Sequence, residues 1–274
     1  MGQAIAEQAR RFSYCLIENT GGTKVGTAVA IQLGTRFFLA TAGHVIENAR
    51  GIKALVRNQT AHYVSDFVAR HCDNLSDVGL LEISPSNSHH FDEFLSQDCL
   101  CETIEEEQEM PAMVVGFAGQ FCNTVKKIDL TPESSLRLVR CDTLTFNTVV
   151  LPRSEWPSDG LPDEHGNQKQ LIDGRDMLID YTPELEVRPF TPKTAGNENA
   201  PVECLELDPR GMSGGGIWLV QIAESKEKLH SPDARLIGLQ LGWHRTKNLL
   251  RGIRIGAWLD LVRDQYPDLM NEER

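Results

Sequence analysis

Six short segments with the composition of β-strands follow one another closely between residues 13 and 83. They are rich in Val, Ile, Phe and Thr, and turn residues such as Gly34 and Thr35 separate them. Because parallel strands need crossover connections of about a dozen residues or more, this spacing favours antiparallel pairing in a small barrel or sandwich. The segments are SYCLIE, KVGTAVAIQL, RFFLATA, IKALVR, HYVSDFVAR and VGLLEIS.

A second set of strand-like segments begins after residues 84–112, a polar and acidic stretch that we interpret as a surface connector. A Pro- and acid-rich tract at about 152–201, interrupted by MLIDYT, is predicted to be an insertion or loop region. Near the end of the chain, AWLDLVRDQYPDLM has apolar residues at helical spacing and predicts an amphipathic helix. The other strand-like segments are MVVGFAG, NTVKKIDL, SLRLVRCDTLTF, NTVVL, GIWLV, ARLIGLQLGW and LLRGIRIG.

The charge balance of the chain is acidic. It has 39 Asp and Glu against 27 Lys and Arg, a net charge of -12, and no long basic run. We therefore expect no nucleic-acid partner. Since the N-terminal sequence lacks the apolar core of a secretory signal and no stretch of about 18 apolar residues occurs, we expect a cytoplasmic protein without a membrane partner.

The cysteines predict neither a disulfide framework nor a metal site. The chain has seven of them at irregular positions, and this odd number is typical of a reducing compartment. Only Cys99 and Cys101 lie close together, and no CxxC pair completes the spacing of a zinc site.

Two motifs in the first half place a reactive residue beside an apolar strand. His44 lies in TAGHV, where small neighbours let other side chains approach its ring; taken alone, a structural histidine is the better interpretation. Asp77 stands at the start of VGLLEI, where it either caps a turn or accepts the Nδ1 proton of a histidine. Neither motif decides the function by itself.

The strongest motif is GMSGGG, residues 211–216, which places Ser213 among glycines. A serine hydroxyl is a poor nucleophile until a base takes its proton, and the attacked carbonyl group needs backbone N–H donors for its developing charge. Glycine permits the close backbone approach that both tasks require. A flexible glycine loop is the alternative interpretation of this motif alone.

In this order, TAGHV, SDVGLLEI and GMSGGG resemble the His, Asp and Ser motifs of trypsin-like serine proteases, which have the chymotrypsin fold. The resemblance extends from about residue 26 to residue 269 and is greatest to the bacterial, disulfide-free type. It implies an all-β fold of two antiparallel six-stranded β-barrels with a C-terminal α-helix. The implied parts are an extension (1–11), a first barrel with the connector (12–111), a second barrel with the insertion (112–256) and the helix (257–274).

The resemblance implies a catalytic triad of His44 as general base, Asp77 as its orienting carboxylate and Ser213 as nucleophile. The backbone N–H groups of Gly211 and Ser213 would form the oxyanion hole. The implied activity is that of a serine endopeptidase that needs no cofactor and acts on a protein or peptide. Met212 occupies the position where zymogen-activated relatives carry an aspartate, so activation by N-terminal cleavage is not expected. The insertion would be a lid or the site of a regulatory protein partner.

Substrate-binding residues are also implied by the resemblance. Leu241, Gly242 and Trp243 would border the cleft, and Leu207 and Asp208 would lie at the wall of the primary specificity pocket. Asp208 would select Arg or Lys, whereas a shift of one residue in the alignment would put Leu207 in its place.

Two other functions stay open from the sequence. GMSGG also fits the GxSxG nucleophile elbow of α/β-hydrolases, including esterases, but that fold requires the order Ser, acid, His and alternating strands and helices. A protease-like module that binds peptides or partner proteins would keep the fold with little turnover. Covalent labelling of Ser213 by a fluorophosphonate separates the enzyme from the binding module.

Overall fold

The first half of the chain forms one sheet. The computed structural model describes residues 2–18, 24–48, 52–57, 60–63, 67–91, 93–105, 107–119, 122–123, 140–141, 143–162, 168–181, 208–220 and 234–270. The strands of the first sheet are β1 (Ser13–Glu18), β2 (Lys24–Leu33), β3 (Arg36–Ala42), β4 (Ile52–Arg57), β5 (Thr60–Tyr63), β6 (Phe67–Asp73), β7 (Val78–Ile83) and β8 (Leu95–Ser96). Their order is β5-β4-β1-β2-β3-β7-β6, and β8 pairs with β2.

Antiparallel pairing, as predicted, holds for every pair in this sheet except β2 with β8. Strands β1 to β4 have the predicted limits, whereas the segment HYVSDFVAR contributes to two strands, β5 and β6. A closed first barrel is not confirmed, because the described pairings leave β5 and β6 as the two edges of the sheet.

The stretch interpreted as a surface connector packs into the fold. Phe91 and Leu95 are buried, and Leu95 pairs in parallel with Ile31 of β2. Further along, the Cys101 N–H donates to the carbonyl oxygen of Leu236 in the second half, at 2.9 Å. This stretch therefore contacts both halves of the chain. Its mostly polar composition did not predict these contacts.

The second half contains the closed barrel that the sequence predicts. Its order is β12-β15-β18-β17-β16-β9, and all its neighbouring strands are antiparallel. Strand β15 lies inside the tract predicted as an insertion. The end of the predicted segment SLRLVRCDTLTF and the next segment, NTVVL, form one strand, β12. The described strands of the second half, inside and outside the barrel, are β9 (Met110–Gly116), β10 (Cys122–Asn123), β11 (Arg140–Cys141), β12 (Leu144–Val150), β13 (Leu161–Pro162), β14 (Gln168–Lys169), β15 (Asp176–Asp180), β16 (Gly216–Leu219), β17 (Arg235–His244) and β18 (Leu249–Arg254).

In the part of the chain that the structure describes, three α-helices accompany the strands: α1 (Gly2–Arg11), α2 (Gly43–Asn48) and α3 (Ile255–Gln265). The predicted C-terminal helix is confirmed by α3. Helix α1 was not predicted; it buries Ile5 and Ala9, and it leads to Phe12, whose ring stacks on Trp218 with centroids 6.1 Å apart. Within the described ranges, no helix is long and apolar enough to cross a membrane.

Helix α3 fastens strand β7 to the second half. The indole N–H of Trp258 donates to the Gly79 carbonyl oxygen at 3.2 Å, and the Tyr266 hydroxyl group donates to Glu82 at 3.0 Å. Glu82 also accepts a hydrogen bond from Arg36 at 2.8 Å. Because β7 directly follows Asp77, these contacts help to position the candidate site.

Candidate active site

His44 lies at the start of α2, directly after β3. The last residue of β3, Ala42, pairs with Val78, so the chain segments that carry His44 and Asp77 run side by side. The Gly43 N–H donates to the Asp77 carbonyl oxygen at 2.8 Å. A Cβ atom on Gly43 would lie 3.2 Å from the Asp77 side chain, so glycine permits this close approach.

Asp77 binds His44 through the imidazole ring and the backbone. His44 Nδ1 lies 3.0 Å from both carboxylate oxygens, and the His44 N–H donates to Oδ1 at 2.9 Å. An ionised carboxylate can only accept hydrogen bonds, so Nδ1 carries the proton. The other ring nitrogen, Nε2, is then a proton acceptor in the neutral imidazole, as a general base requires.

The backbone of Asp77 has a φ of 56°, in the left-handed region that non-glycine residues seldom adopt. The turn before it is held by Asp73, whose carboxylate accepts the N–H groups of Leu75 and Ser76 at 3.0 and 3.2 Å. Such strained backbone persists where the surroundings over-determine it, and it clusters at functional sites.

Two opposing effects act on the pKa of Asp77. Burial raises the pKa of the carboxyl group, but the hydrogen bonds and the charge of His44 lower it by more in total. The charge of Arg251 lowers it further. The net pKa lies below the ordinary value, and Asp77 is a carboxylate throughout the neutral range.

The loop that carries Ser213 is bound to the first sheet. The Thr27 N–H of β2 donates to the Ser213 carbonyl oxygen at 2.8 Å. A Cβ atom on Gly26 would lie 2.6 Å from the side chain of Val45 and 3.1 Å from the Ser213 carbonyl oxygen. Val45 follows His44, so the backbone of Ser213 and the start of α2 meet beside the same glycine.

The hydroxyl group of Ser213 donates to the carbonyl oxygen of Leu241 at 3.0 Å. Leu241 lies at a β-bulge, since the register between β17 and β18 shifts between Gln240 and Gly242. A hydroxyl group has one proton, which in this conformation is directed at Leu241 rather than at His44. The structure thus pairs His44 with Asp77 and binds the Ser213 loop to β2, near Val45. Among the described hydrogen bonds, the Ser213 hydroxyl group donates to Leu241 and not to His44.

The first peptide group of the implied oxyanion hole joins Arg210 and Gly211. The Gly119 N–H donates to the Arg210 carbonyl oxygen at 2.8 Å. In a planar trans peptide the N–H points away from the carbonyl oxygen, so the Gly211 N–H faces away from Gly119. Gly211 has a φ of 92°, which other residue types seldom adopt.

The second peptide group, which joins Met212 and Ser213, is held in the same way. Its carbonyl oxygen accepts the Gly215 N–H at 2.7 Å, so the Ser213 N–H points to the opposite side. Within the described part of the chain, the N–H groups of Gly211 and Ser213 have no hydrogen-bond acceptor. Both peptide groups are therefore oriented by the hydrogen bonds of their carbonyl oxygens.

Asp208 is paired with a neighbouring arginine. Its carboxylate accepts the backbone N–H of Arg210 at 2.9 Å and the side-chain Nε–H at 2.5 Å, and Nη2 also contacts it. The hydrogen bond from the Arg210 side chain is the largest cause that lowers the pKa of Asp208. Asp208 thus carries a charge that Arg210 already balances, while Leu207 lies outside the described residues.

The three residues implied at the cleft edge lie along β17. Leu241 is buried, whereas Gly242 and Trp243 are half-buried, and a Cβ atom on Gly242 would meet nothing within 4 Å. The Trp243 ring packs edge-on against Tyr181 with centroids 5.8 Å apart. Burial raises the pKa of Tyr181 to about 12, and the charge of Asp208 contributes to this rise.

Sequence reasoning missed two residues of this region. Thr27 is fully buried and touches the Ser213 loop, and Arg210 balances Asp208. Arg210 stands two residues from Asp208, a spacing that would have signalled a local ion pair. Thr27 had no local signal, because its partners are far away in the sequence. Across the described residues, no three His, Cys, Asp or Glu side chains are grouped to hold a metal ion.

Comparisons with known proteins give a structural resemblance only. No family model and no curated protein sequence matches the chain. One similar structure is described by the words "aromatic interactions drive the coupled folding and binding of the intrinsically disordered Sesbania mosaic virus VPg protein". The match covers 96% of this chain and 92% of that chain, with 12% sequence identity and a TM-score of 0.47. Another is the serine protease domain of the Sesbania mosaic virus polyprotein, which covers 93% and 91%, with 11% identity and a TM-score of 0.44.

Proposed function

We propose that this chain is a serine endopeptidase in which His44, Asp77 and Ser213 form the catalytic triad. The observation that carries the proposal is the pairing of His44 Nδ1 with both oxygens of Asp77, at 3.0 Å. A carboxylate that orients an imidazole ring, which in turn activates a serine hydroxyl group, has the chemistry of acyl transfer.

In the proposed reaction, Ser213 Oγ bonds to the carbonyl carbon of the substrate and His44 Nε2 takes the hydroxyl proton. Asp77 holds the ring in the required tautomer and stabilises its positive charge. The tetrahedral intermediate then breaks the C–N bond, and His44 gives its proton to the leaving amine. Water attacks the acyl-enzyme with His44 again as base, which releases the acid and restores Ser213.

The N–H groups of Gly211 and Ser213 are the proposed donors to the oxyanion. Support comes from the hydrogen bonds of Gly119 and Gly215, which orient the two peptide groups before any substrate binds. Preorganised donors avoid a reorganisation cost at the moment of reaction, and loss of one typically costs about 10²- to 10³-fold in rate.

We propose that the Leu241 carbonyl oxygen couples substrate binding to the activation of Ser213. Its carbonyl oxygen accepts the Ser213 hydroxyl proton at 3.0 Å. A backbone N–H of an extended peptide along β17 would replace that hydroxyl group as donor to Leu241. Ser213 would then rotate to donate to His44, so peptides would be better acylating substrates than small esters.

Fluorophosphonate labelling, followed by intact mass, tests the proposed function. We expect one adduct on the wild-type chain, loss of it in Ser213→Ala and His44→Ala, and full labelling of Ser88→Ala and His89→Ala. The two control residues lie in a separate 3-10 helix, Pro85–His90. A wild-type chain that stays unlabelled, also after addition of candidate peptides, would contradict the proposal.

A second candidate function is peptide or protein binding with little turnover. One observation favours it, namely that the Ser213 hydroxyl group donates to Leu241 and not to His44. This candidate predicts binding of extended peptides without an adduct and without cleavage products. The α/β-hydrolase alternative lacks support, because the described strands pair antiparallel except for β2 with β8 and a single bridge between Leu100 and Leu236.

A further inference from the structure

We infer that Thr27 is a positioning residue that holds the oxyanion loop, residues 208–215, in its working geometry. Thr27 lies in β2 of the first sheet and is completely buried. No sequence motif marks it, and it touches neither His44 nor Asp77 by any hydrogen bond within the described residues. The inference rests on the proposed function, since the geometry it maintains is that of the proposed oxyanion hole.

The hydroxyl group of Thr27 links two segments of the second half. It accepts the Phe117 N–H at 3.0 Å and donates to the Gly211 carbonyl oxygen at 3.3 Å. Phe117 stands two residues before Gly119, whose N–H holds the Arg210 carbonyl oxygen. Thr27 therefore constrains the peptide group between Gly211 and Met212 directly. Through Phe117 it also supports the segment whose Gly119 N–H holds the peptide group between Arg210 and Gly211.

The backbone of Thr27 binds the same loop and the strand that leads to His44. Its N–H donates to the Ser213 carbonyl oxygen at 2.8 Å, and its carbonyl oxygen accepts the Thr41 hydroxyl proton at 2.6 Å. Thr41 stands in β3, which ends directly before α2. A Cβ atom on Gly214 would collide with the Thr27 carbonyl oxygen and the Thr41 hydroxyl group, so the loop is also packed tightly against both.

These contacts explain why a hydroxyl group is needed at position 27. A valine would fill the same volume but could neither accept from Phe117 nor donate to Gly211, which would leave the buried Phe117 N–H and the partly buried Gly211 carbonyl oxygen without this partner. The loop would then relax, and small misplacements of reacting groups cost up to about 10²-fold in rate.

The test compares Thr27→Val with Thr27→Ser, which keeps the hydroxyl group. We expect the second-order rate constant of fluorophosphonate labelling at Ser213 to fall about 10- to 100-fold in Thr27→Val and by no more than about threefold in Thr27→Ser, since the relay is kept. The midpoint of the pH profile of labelling should be the same in all three proteins, because the His44–Asp77 pair is untouched.

A matched control separates positioning from loss of stability. Thr148 of β12 is also buried, and its hydroxyl group donates to the Asp180 carbonyl oxygen on the barrel. Thr148→Val should lower the thermal midpoint, as Thr27→Val does, and yet be labelled at the wild-type rate. Thr27→Ala replaces Thr27→Val if the valine variant does not fold.

The outcomes distinguish this inference from the proposed function. Labelling of Thr27→Val at the wild-type rate, or equal losses in Thr27→Ser and Thr27→Val, would overturn the role of the hydroxyl group and leave the protease proposal standing. Equal losses in Thr148→Val and Thr27→Val would trace the effect to stability and would also overturn it. An unlabelled wild-type chain would contradict the proposed function, and this inference with it.

Discussion

Asp77 combines an unusual backbone with a paired side chain. Its φ of 56° turns the carboxylate back toward α2, where it accepts hydrogen bonds from both the ring and the backbone of His44. The Gly43 N–H holds its carbonyl oxygen on the other side. Among the described residues, Asp77 makes the hydrogen bonds that orient the imidazole ring.

Replacement of Asp77 by Asn should remove most of the proposed protease activity. An amide can present its NH₂ group to Nδ1 and so favour the wrong tautomer, which in triads of this kind costs about 10⁴-fold in kcat. We expect labelling of Ser213 to slow by about 10³-fold or more. Asp260→Asn, on the exposed face of α3, serves as the control and should be labelled normally.

Asp77 should also make stability depend on pH. Its pKa in the folded chain is lowered, so the unfolded state binds a proton more readily than the folded state does. The stabilisation is present above the unfolded value of about 3.9 and is lost as pH falls through the lower folded value. Urea unfolding of the wild type and Asp77→Asn should show a smaller difference at pH 3 than at pH 7; a constant difference would argue against this.

The proposed protease function and the pairing of Asp208 with Arg210 together lead to a prediction about cleavage specificity. Because Arg210 balances the Asp208 carboxylate, the wild-type protein should show no strong preference for Arg or Lys at the cleaved bond. Arg210→Gln should raise relative cleavage after Arg and Lys by a few fold. A peptide library read by mass spectrometry measures both, with Arg235→Gln, an exposed site on β17, as control. A strong basic preference in the wild type would contradict the prediction.

At the scale of elements, helix α1 and the adjoining Phe12 make contacts with both halves of the chain. Besides the stacking of Phe12 on Trp218, Gln8 accepts the Ala234 N–H at 3.1 Å and Arg10 donates to Thr145 at 3.0 Å. The Phe12 carbonyl oxygen meanwhile accepts the Ala30 N–H of β2 at 2.8 Å. Helix α1 and the adjoining Phe12 thus contact both the first sheet and the barrel.

Truncation of a buried side chain in α1 should destabilise the whole protein. Ile5 is 1% exposed, and Ile5→Ala should lower the free energy of unfolding by about 2–4 kcal/mol because it leaves a cavity. Glu7→Ala, on the exposed side of the same helix, should change it by about 0.5 kcal/mol or less. Urea unfolding followed by circular dichroism measures both, and equal effects would show that α1 does not pack as described.

At the scale of the whole molecule, one apolar core runs through both halves. Leu39 of the first sheet, Trp218 and Leu239 of the barrel and Trp258 of α3 belong to the same buried cluster. The Cys101 N–H and the loop of Ser213 add backbone hydrogen bonds between the halves. We infer that the halves stabilise each other.

The shared core predicts one cooperative unfolding transition. Calorimetry should give a single peak whose calorimetric and van't Hoff enthalpies agree. Trp218→Ala should shift this one peak to lower temperature and keep it single. Two separated peaks would mean that the halves unfold independently and that the contacts between them are weak.

Much of the local structure could be predicted from the sequence because it depends on neighbouring residues. The limits of β1 to β4 follow from runs of β-branched and aromatic residues between turns, and α3 follows from its apolar spacing. Helix α1 was missed, since its small apolar residues become informative only when the surface they cover is known.

The sequence by itself determined three motifs, their order and the antiparallel character of the strands, because these depend on composition and spacing along the chain. The resemblance of the motifs predicted the pairing of His44 with Asp77, and the structure supplies its geometry. Only the tertiary structure decided that Thr27 contacts the loop of Ser213 and that the connector packs into the fold. Such contacts join residues far apart in sequence, where the backbone path and the close approach at glycines determine which groups meet.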